Sequence, residues 1–368
     1  MKLNRKALSF AITLVFLYGF ILFSISAEAL ACSRILSADN GQAVLVGRNM
    51  DWPVDMGTAL LVFSRGIKRD GLAGGNSLSW TSKYGSIAVA SYASGNKGAV
   101  SDGMNEKGLA ANLLWLDKSD YGERDERIPG LSISLWAQYF LDNYATVEEA
   151  VDAISKAPYQ LITMAIPEGE ITETAYIHLS LEDKTGDSAI IEYTNGKPVI
   201  YHDRSYAVMT NEPPLKEQLE NLRQYEGFGG NKPLPGTTKP QDRFVRASYY
   251  LKYLPKPKNL REALAGVFSI TRNVSQPFRV SVDPKHPNIS STLWSTVADL
   301  TNGTYYFEST SSPYLIWVNI HEFDLNDGAS VMKLDLTNNP DFAGDVTQHF
   351  MQTKSFEFMS SVQSEKTK

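Results

Sequence analysis

A single cysteine in 368 residues, set directly behind a leader-like N-terminus, limits how this chain can hold itself together. Lys2, Arg5 and Lys6 precede an apolar stretch from Ala7 to Ile25, and Ala29-Leu30-Ala31 then leads into Cys32, the pattern of a secretory signal peptide with an A-x-A-type cleavage site. Residues 1–31 are expected to be that signal peptide and residues 32–368 one domain. An exported chain enters an oxidising compartment, yet one Cys can form no internal disulfide, so the fold has to rest on an apolar core. With 43% hydrophobic and 21% charged residues the composition suits such a core.

The leader has two alternative readings. Its apolar stretch is long enough for an uncleaved anchor, and a Cys after small residues also resembles a lipid attachment site. Lipid-attachment sequences usually carry Leu three residues before the Cys, and here Ala29 stands there while Leu30 lies one residue too close. The reading taken is an exported protein, periplasmic or secreted, with no stable membrane insertion after cleavage. A net charge of −6 gives no basic face for nucleic acid, so the expected partner is a small molecule.

Short runs rich in Val, Ile, Tyr and Thr recur between Gly and Asn turns, the signature of strands and hairpins. They include Gln42 to Val46, Ala59 to Phe63, Ile87 to Tyr92, Leu109 to Trp115, Ala175 to Leu179, Ala189 to Tyr193 and Val199 to His202. Asn-Gly pairs at Asn40, Asn195 and Asn302 predict two-residue hairpin turns. Helical spacing covers Leu131 to Asn143, a capping box at Thr146 and Glu149 opens a helix to Lys156, and further helices are expected from Leu215, Arg243 and Leu260. The Gly- and Pro-rich segment from Gly227 to Pro240 reads as a loop or lid. Helices grouped between blocks of strands favour an α+β layering with antiparallel sheets.

A thiol reacts as its thiolate, and near pH 7 only a few per cent of an ordinary Cys is ionised. A freed α-amine, with a pKa of about 7.7–8.0, can take that proton, so an N-terminal Cys32 would carry nucleophile and base in one residue. If Asn40-Gly41 is a two-residue turn, Cys32 faces Asn49 across a hairpin, and Arg48 and Asp51 fall within a residue or two of the new terminus. Arg48 would favour the thiolate by charge, and Asp51 would hold the ammonium group. None of the five histidines stands in a recognisable nucleophile-partner setting, and no metal-ligand spacing such as H-x-x-x-H occurs, so neither a metal nor another cofactor is expected.

Five segments together resemble the choloylglycine hydrolases, the N-terminal-nucleophile (Ntn) hydrolases that include bile salt hydrolases and penicillin V acylases. They are Cys32-Ser33-Arg34, Gly47 to Trp52, Asn105 to Leu109, Met209 to Pro213 and Asp242 to Arg246, in family order. The resemblance implies a four-layer αββα sandwich of two antiparallel sheets between helical layers, Cys32 as nucleophile and base, and Arg48 and Asp51 around it. It further implies Asn211 as an oxyanion donor, Arg243 as a second active-site arginine, and assembly as a homotetramer. The family's other oxyanion position aligns with Trp115, whose backbone N–H could still serve; Trp115 and Trp52 resemble the Gram-negative branch, in which both line the acyl pocket.

The activity so implied is cleavage of a linear, non-peptide amide through a thioester, with penicillin V or N-acyl homoserine lactones as substrates and conjugated bile salts as the alternative. A reading of a different class is an exported lipoprotein or binding module that keeps the fold without catalysis.

Overall fold

A computed structural model of the protein describes residues 32–94, 97–156, 159–168, 171–278, 291–337, 341–353 and 356–361. The expected signal peptide lies outside the described residues; of the last dozen residues, expected to fray, Glu357–Phe358 instead pair as a strand, and 362–368 lie outside the described residues.

Among the described residues the β-rich runs become seventeen strands in two large sheets. They are β1 Cys32–Ser37, β2 Leu45–Trp52, β3 Thr58–Phe63, β4 Ser86–Ser94, β5 Lys97–Asn105, β6 Leu109–Trp115, β7 Ile177–Asp183, β8 Ser188–Thr194, β9 Lys197–His202, β10 Val208–Thr210, β11 Ser291–Asp299, β12 Thr304–Ser309, β13 Leu315–Asn319, β14 Met332–Asp335, β15 Gly344–Asp345, β16 Met351–Gln352 and β17 Glu357–Phe358. The first sheet runs β10-β1-β2-β11-β12-β13-β15; the second runs β9-β8-β7-β6-β5-β4-β3-β14-β16, with β17 alongside β5. Pairing is antiparallel except for the marginal strands β15 and β17.

Helices α1 Trp136–Asn143 and α2 Val147–Lys156 cover the second sheet, while α4 Pro240–Tyr253 and α5 Leu260–Asn273 cover the first, with α3 Leu215–Leu222 beside α4. The result is the expected αββα order. Val46, Met50, Val89, Met104, Leu114 and Trp294 pack between the sheets; Leu45 and Val297 point the other way, onto Ala263, Val267 and Phe268 of α5. Gly47 lies directly beneath α5, where an added Cβ would stand 2.7 Å from both Val267 Cγ1 and Thr271 Cγ2. No helix among the described residues is long and apolar enough to cross a membrane.

The inter-sheet core also buries charge. Arg34 and Arg48 sit directly opposite each other on β1 and β2, both fully buried. Two adjacent buried cations persist only with counter-charges, and the facing sheet supplies them. Glu182 on β7 pairs with Arg34 at 3.1 Å and accepts from Asn112 Nδ2 at 2.9 Å. Asp102 on β5, close enough for the Arg48 charge to act on it, accepts from Thr296 Oγ1 at 2.6 Å. Burial pushes the Glu182 carboxyl up to about 7 against the pull of Arg34.

The hairpin register differs from the expected one. Cys32 faces Met50, and Ser33 faces Asn49. Only Gly41 has positive φ (77°) in that connection, whereas a type I′ turn needs it at both central positions. Asn40 instead builds a wider loop, accepting from Gln42 N and Ala43 N and donating to Ser37 O. The Asn195-Gly196 pair, with φ of 51° and 72°, does make the tight turn, joining Thr194 directly to Lys197. Around Asn302 the loop is again wider, because Asp299 Oδ1 captures the N–H groups of Thr301 and Asn302. The expected helix from Leu131 starts later: Gly130–Ser132 pairs as a short strand, and Ser132 then caps a 3₁₀ turn ahead of α1.

Candidate active site

Cys32 opens β1, an inner strand, and is 3% exposed. Three neighbours bring their residues to it. On one side β2 sets Met50 opposite Cys32 and Asp51 next to it. On the other, β10 pairs Thr210 with Ser33, so the next residue, Asn211, draws level with Cys32. Above them α4 begins at Pro240, whose ring is pre-set for a first helical position, and its first turn carries Arg243 into the same space.

Hydrogen bonds tie these residues together. The Cys32 N–H donates to Asn211 Oδ1. Arg243 Nη1 donates to the Cys32 carbonyl and to Ser33 Oγ, both at 2.6 Å, while Nη2 donates to Asn211 Oδ1 at 2.9 Å. Asn211 Nδ2 donates to the Trp115 carbonyl at 2.9 Å. Asp51 Oδ1 accepts from Thr292 Oγ1, and Oδ2, 3.7 Å from Arg243 Nη1, is buried with no hydrogen-bond partner among the described residues. Because Leu116 N donates to Tyr176 O across β6 and β7, the preceding residue, Trp115, turns its own N–H and C=O away from β7 and toward Asn211.

The Cys32 sulfur lies 3.9 Å from both Met50 Sδ and the Asp51 carbonyl. It opens into a pocket of about 90 Å³ whose walls include Trp52, Leu113, Trp115, Ile133 and Met164. The Trp52 and Trp115 rings pack 5.7 Å apart at 59°. Burial pushes the thiol pKa up; the charge of Arg48 pulls it down, and Asp51 pushes it up. Burial also raises the Asp51 carboxyl to about 6, against Arg243, the Thr292 hydrogen bond and Arg48. Arg243 is shifted down by burial, with Asp51 opposing.

Every residue singled out in the sequence falls at this site, though not in equal contact. Cys32, Asp51, Asn211 and Arg243 form one bonded cluster, and Trp52 and Trp115 line the pocket. Arg48 stands behind Met50, donating to the Leu113 carbonyl at 2.7 Å and lying over the Trp294 ring at 4.7 Å, so it reaches the sulfur through its charge. Sequence reasoning missed Ser33, Met50 and Thr292. The first two lay inside quoted segments; Thr292 stands far along the chain in no motif, and only the β2–β11 pairing, Asp51 with Thr292, reveals it.

The profile described as linear amide C–N hydrolases, choloylglycine hydrolase family, matches residues 32–347. A penicillin V acylase of Pectobacterium atrosepticum is 44% identical over 90% of this chain and 93% of its own. The solved structure of a penicillin V acylase from Agrobacterium tumefaciens is 46% identical and covers 90% of this chain and 99% of its own, with a TM-score of 0.78. A bile salt hydrolase/transferase of Clostridium perfringens is 25% identical over 77% of this chain and 90% of its own.

Proposed function

This chain belongs to the choloylglycine hydrolase family of linear amide C–N hydrolases, and we propose that Cys32, freed by removal of residues 1–31, is its nucleophile and its base. One observation carries the reading: the residue at the mouth of the apolar pocket also presents its nitrogen to Asn211 and lies beside Asp51, whose Oδ2 has no hydrogen-bond partner among the described residues. The family match beginning at residue 32 supports the same cut.

The proton path follows from that placement. The α-amine takes the thiol proton, and the thiolate forms the C–S bond at the amide carbonyl. The oxyanion is met by the Trp115 backbone N–H and the second N–H of the Asn211 amide, whose first N–H is held by the Trp115 carbonyl. When the C–N bond breaks, the α-ammonium gives its proton to the leaving amine. Water then attacks the thioester, passing its proton through the same amine, and the acid departs as the C–S bond breaks. Asp51 and Arg243 hold the terminus in place; Arg48 supplies positive potential behind the sulfur.

The acyl group proposed is an aryloxyacetyl or fatty acyl chain, as in penicillin V and N-acyl homoserine lactones. The tryptophan-lined pocket and the identity to penicillin V acylases support this choice over conjugated bile salts. Export to the periplasm or beyond, and assembly as a homo-oligomer, belong to the same proposal. The near-complete burial of Cys32 speaks against a lipid on its sulfur.

The test begins with mass spectrometry of the mature protein, which should show Cys32 first, with an unmodified amine. Hydrolysis assays should then give turnover of penicillin V and a long-chain acyl homoserine lactone well above that of glycocholate, and none in Cys32→Ala. Full activity in Cys32→Ala overturns the mechanism, and preference for glycocholate overturns the substrate choice.

A further inference from the structure

The acyl pocket holds polar atoms that the mechanism leaves idle. Apart from Cys32 and Arg48, its lining is aliphatic, aromatic or Met, except for two serines, Ser91 on β4 and Ser101 on β5. Both hydroxyl oxygens are buried, and neither has a hydrogen-bond partner among the described residues; the same holds for the indole Nε1 of Trp52. Ser91 is 8% exposed and Trp52 5%. A buried hydroxyl or indole N–H left unmade is costly, and such groups are usually paired. Three residues that carry such groups line one small cavity, a place where a ligand would complete the bonding.

Local geometry shows how one of them is directed there. Val89 pairs with Asp102 and Ala90 with Val100, so Ser101 is the extra residue of a β-bulge between β4 and β5. A bulge breaks the alternation of side chains and re-aims the one it carries, often beside an active site. Ser91 pairs with Ala99, two residues from the bulge and on the same wall of the pocket.

The chemistry of the ligand follows from the donor set. An indole N–H only donates, hydroxyls donate readily, and Arg48, at the cysteine end, adds Nε and Nη1, which have no hydrogen-bond partner among the described residues. The group that satisfies them is therefore an acceptor. On the proposed mechanism the scissile carbonyl oxygen is already taken by Asn211 and Trp115, so the acceptor has to be a different atom. We infer that Ser91 and Ser101, with the Trp52 indole, select acyl groups carrying a second oxygen, an ether or a ketone, over their all-carbon equivalents. The inference rests on the reading of this pocket as the acyl site of a Cys32 amidase.

Two matched substrate pairs test it with the mature enzyme. The phenoxyacetyl and 3-phenylpropanoyl amides of one amine differ only by oxygen for methylene, and 3-oxodecanoyl and decanoyl homoserine lactones differ only by a ketone. In at least one pair kcat/KM should favour the oxygenated member by about tenfold or more. In Ser91→Ala, in Ser101→Ala and in their combination that ratio should fall stepwise toward one, and Trp52→Phe should lower it while keeping the ring. A ratio measured within one protein is independent of its folded fraction. A wild-type ratio near one in both pairs, or a ratio that survives the double variant, overturns the inference while leaving amide hydrolysis intact. Hydrolysis of no member of either pair overturns both the inference and the reading it rests on.

Discussion

Arg243 holds Cys32 by its backbone: Nη1 is 2.6 Å from the Cys32 carbonyl, while Nη2 of the same guanidinium reaches Asn211 Oδ1 at 2.9 Å. The two contacts fix the distance between the proposed nucleophile and the amide beside it, so the arginine acts as a gauge for the site. A Lys has the charge but not the planar fork. Arg243→Lys should therefore lower kcat on the order of a hundredfold, the scale seen when one positioned donor is lost. Steady-state kinetics on penicillin V checks this; a change confined to KM would place Arg243 in substrate binding.

Asp51 predicts a pH dependence. Burial lifts its carboxyl from 3.8 to about 6. The folded state thus holds this proton more tightly than the unfolded chain, and its contribution to stability, intact below about pH 3.8, is lost as pH rises to 6. The loss above pH 6 is on the order of 3 kcal/mol. Holding an ammonium group needs the ionised form, so kcat/KM should show an acid limb no higher than about pH 6, because the ammonium itself favours the carboxylate. Asp51→Asn should lose activity and lose that limb, and in urea unfolding its stability should no longer fall as pH rises from about 4 to 6. A limb that persists in the variant belongs to another group.

Glu182 predicts a stability effect away from the chemistry. Removing it leaves the Arg34 guanidinium buried without its carboxylate. Glu182→Ala should cost about 3–5 kcal/mol, the range for breaking a buried pair from one side. Urea denaturation at pH 8, where Glu182 is mostly ionised, measures it; a loss under 1 kcal/mol would mean that Ser180 Oγ and the Tyr206 carbonyl, which also accept from Arg34, suffice to hold it.

Gly47 offers a test of packing alone. Its missing Cβ lets α5 approach β2, and a methyl there meets two side chains at 2.7 Å. Gly47→Ala should destabilise by about 1–3 kcal/mol through displacement of α5. Thermal melts read the loss; an unchanged melting temperature would show that Val267 and Thr271 yield freely.

The strands were legible because their alternation of apolar and polar residues survives in a two-sheet core, and α2 because Thr146 and Glu149 announce its start. The register of β1 on β2 was not. It depends on whether Asn40 takes positive φ or spends its amide on Ser37 and Ala43, a choice that the letters Asn-Gly leave open. Cys32, Asp51, Asn211 and Arg243 were readable from motifs, whereas Thr292 and the polar lining of the pocket arise from strand pairing and a bulge between segments distant in the chain. The burial of Arg34 against Glu182 was equally silent, since nothing in either local sequence says that two charged residues point inward.

The nitrogen of Cys32 lies inside the sandwich, bonded to Asn211 and overlain by the guanidinium that holds the adjoining carbonyl. A peptidase must grip several residues on both sides of the bond it cuts, and once β1 has docked between β2 and β10 the stretch after Ala31 is out of its reach. On the proposed cut before Cys32, maturation therefore has a deadline. The leader would have to go while this strand is still unpaired, and a molecule that folded first would keep the Cys32 nitrogen locked in a peptide bond.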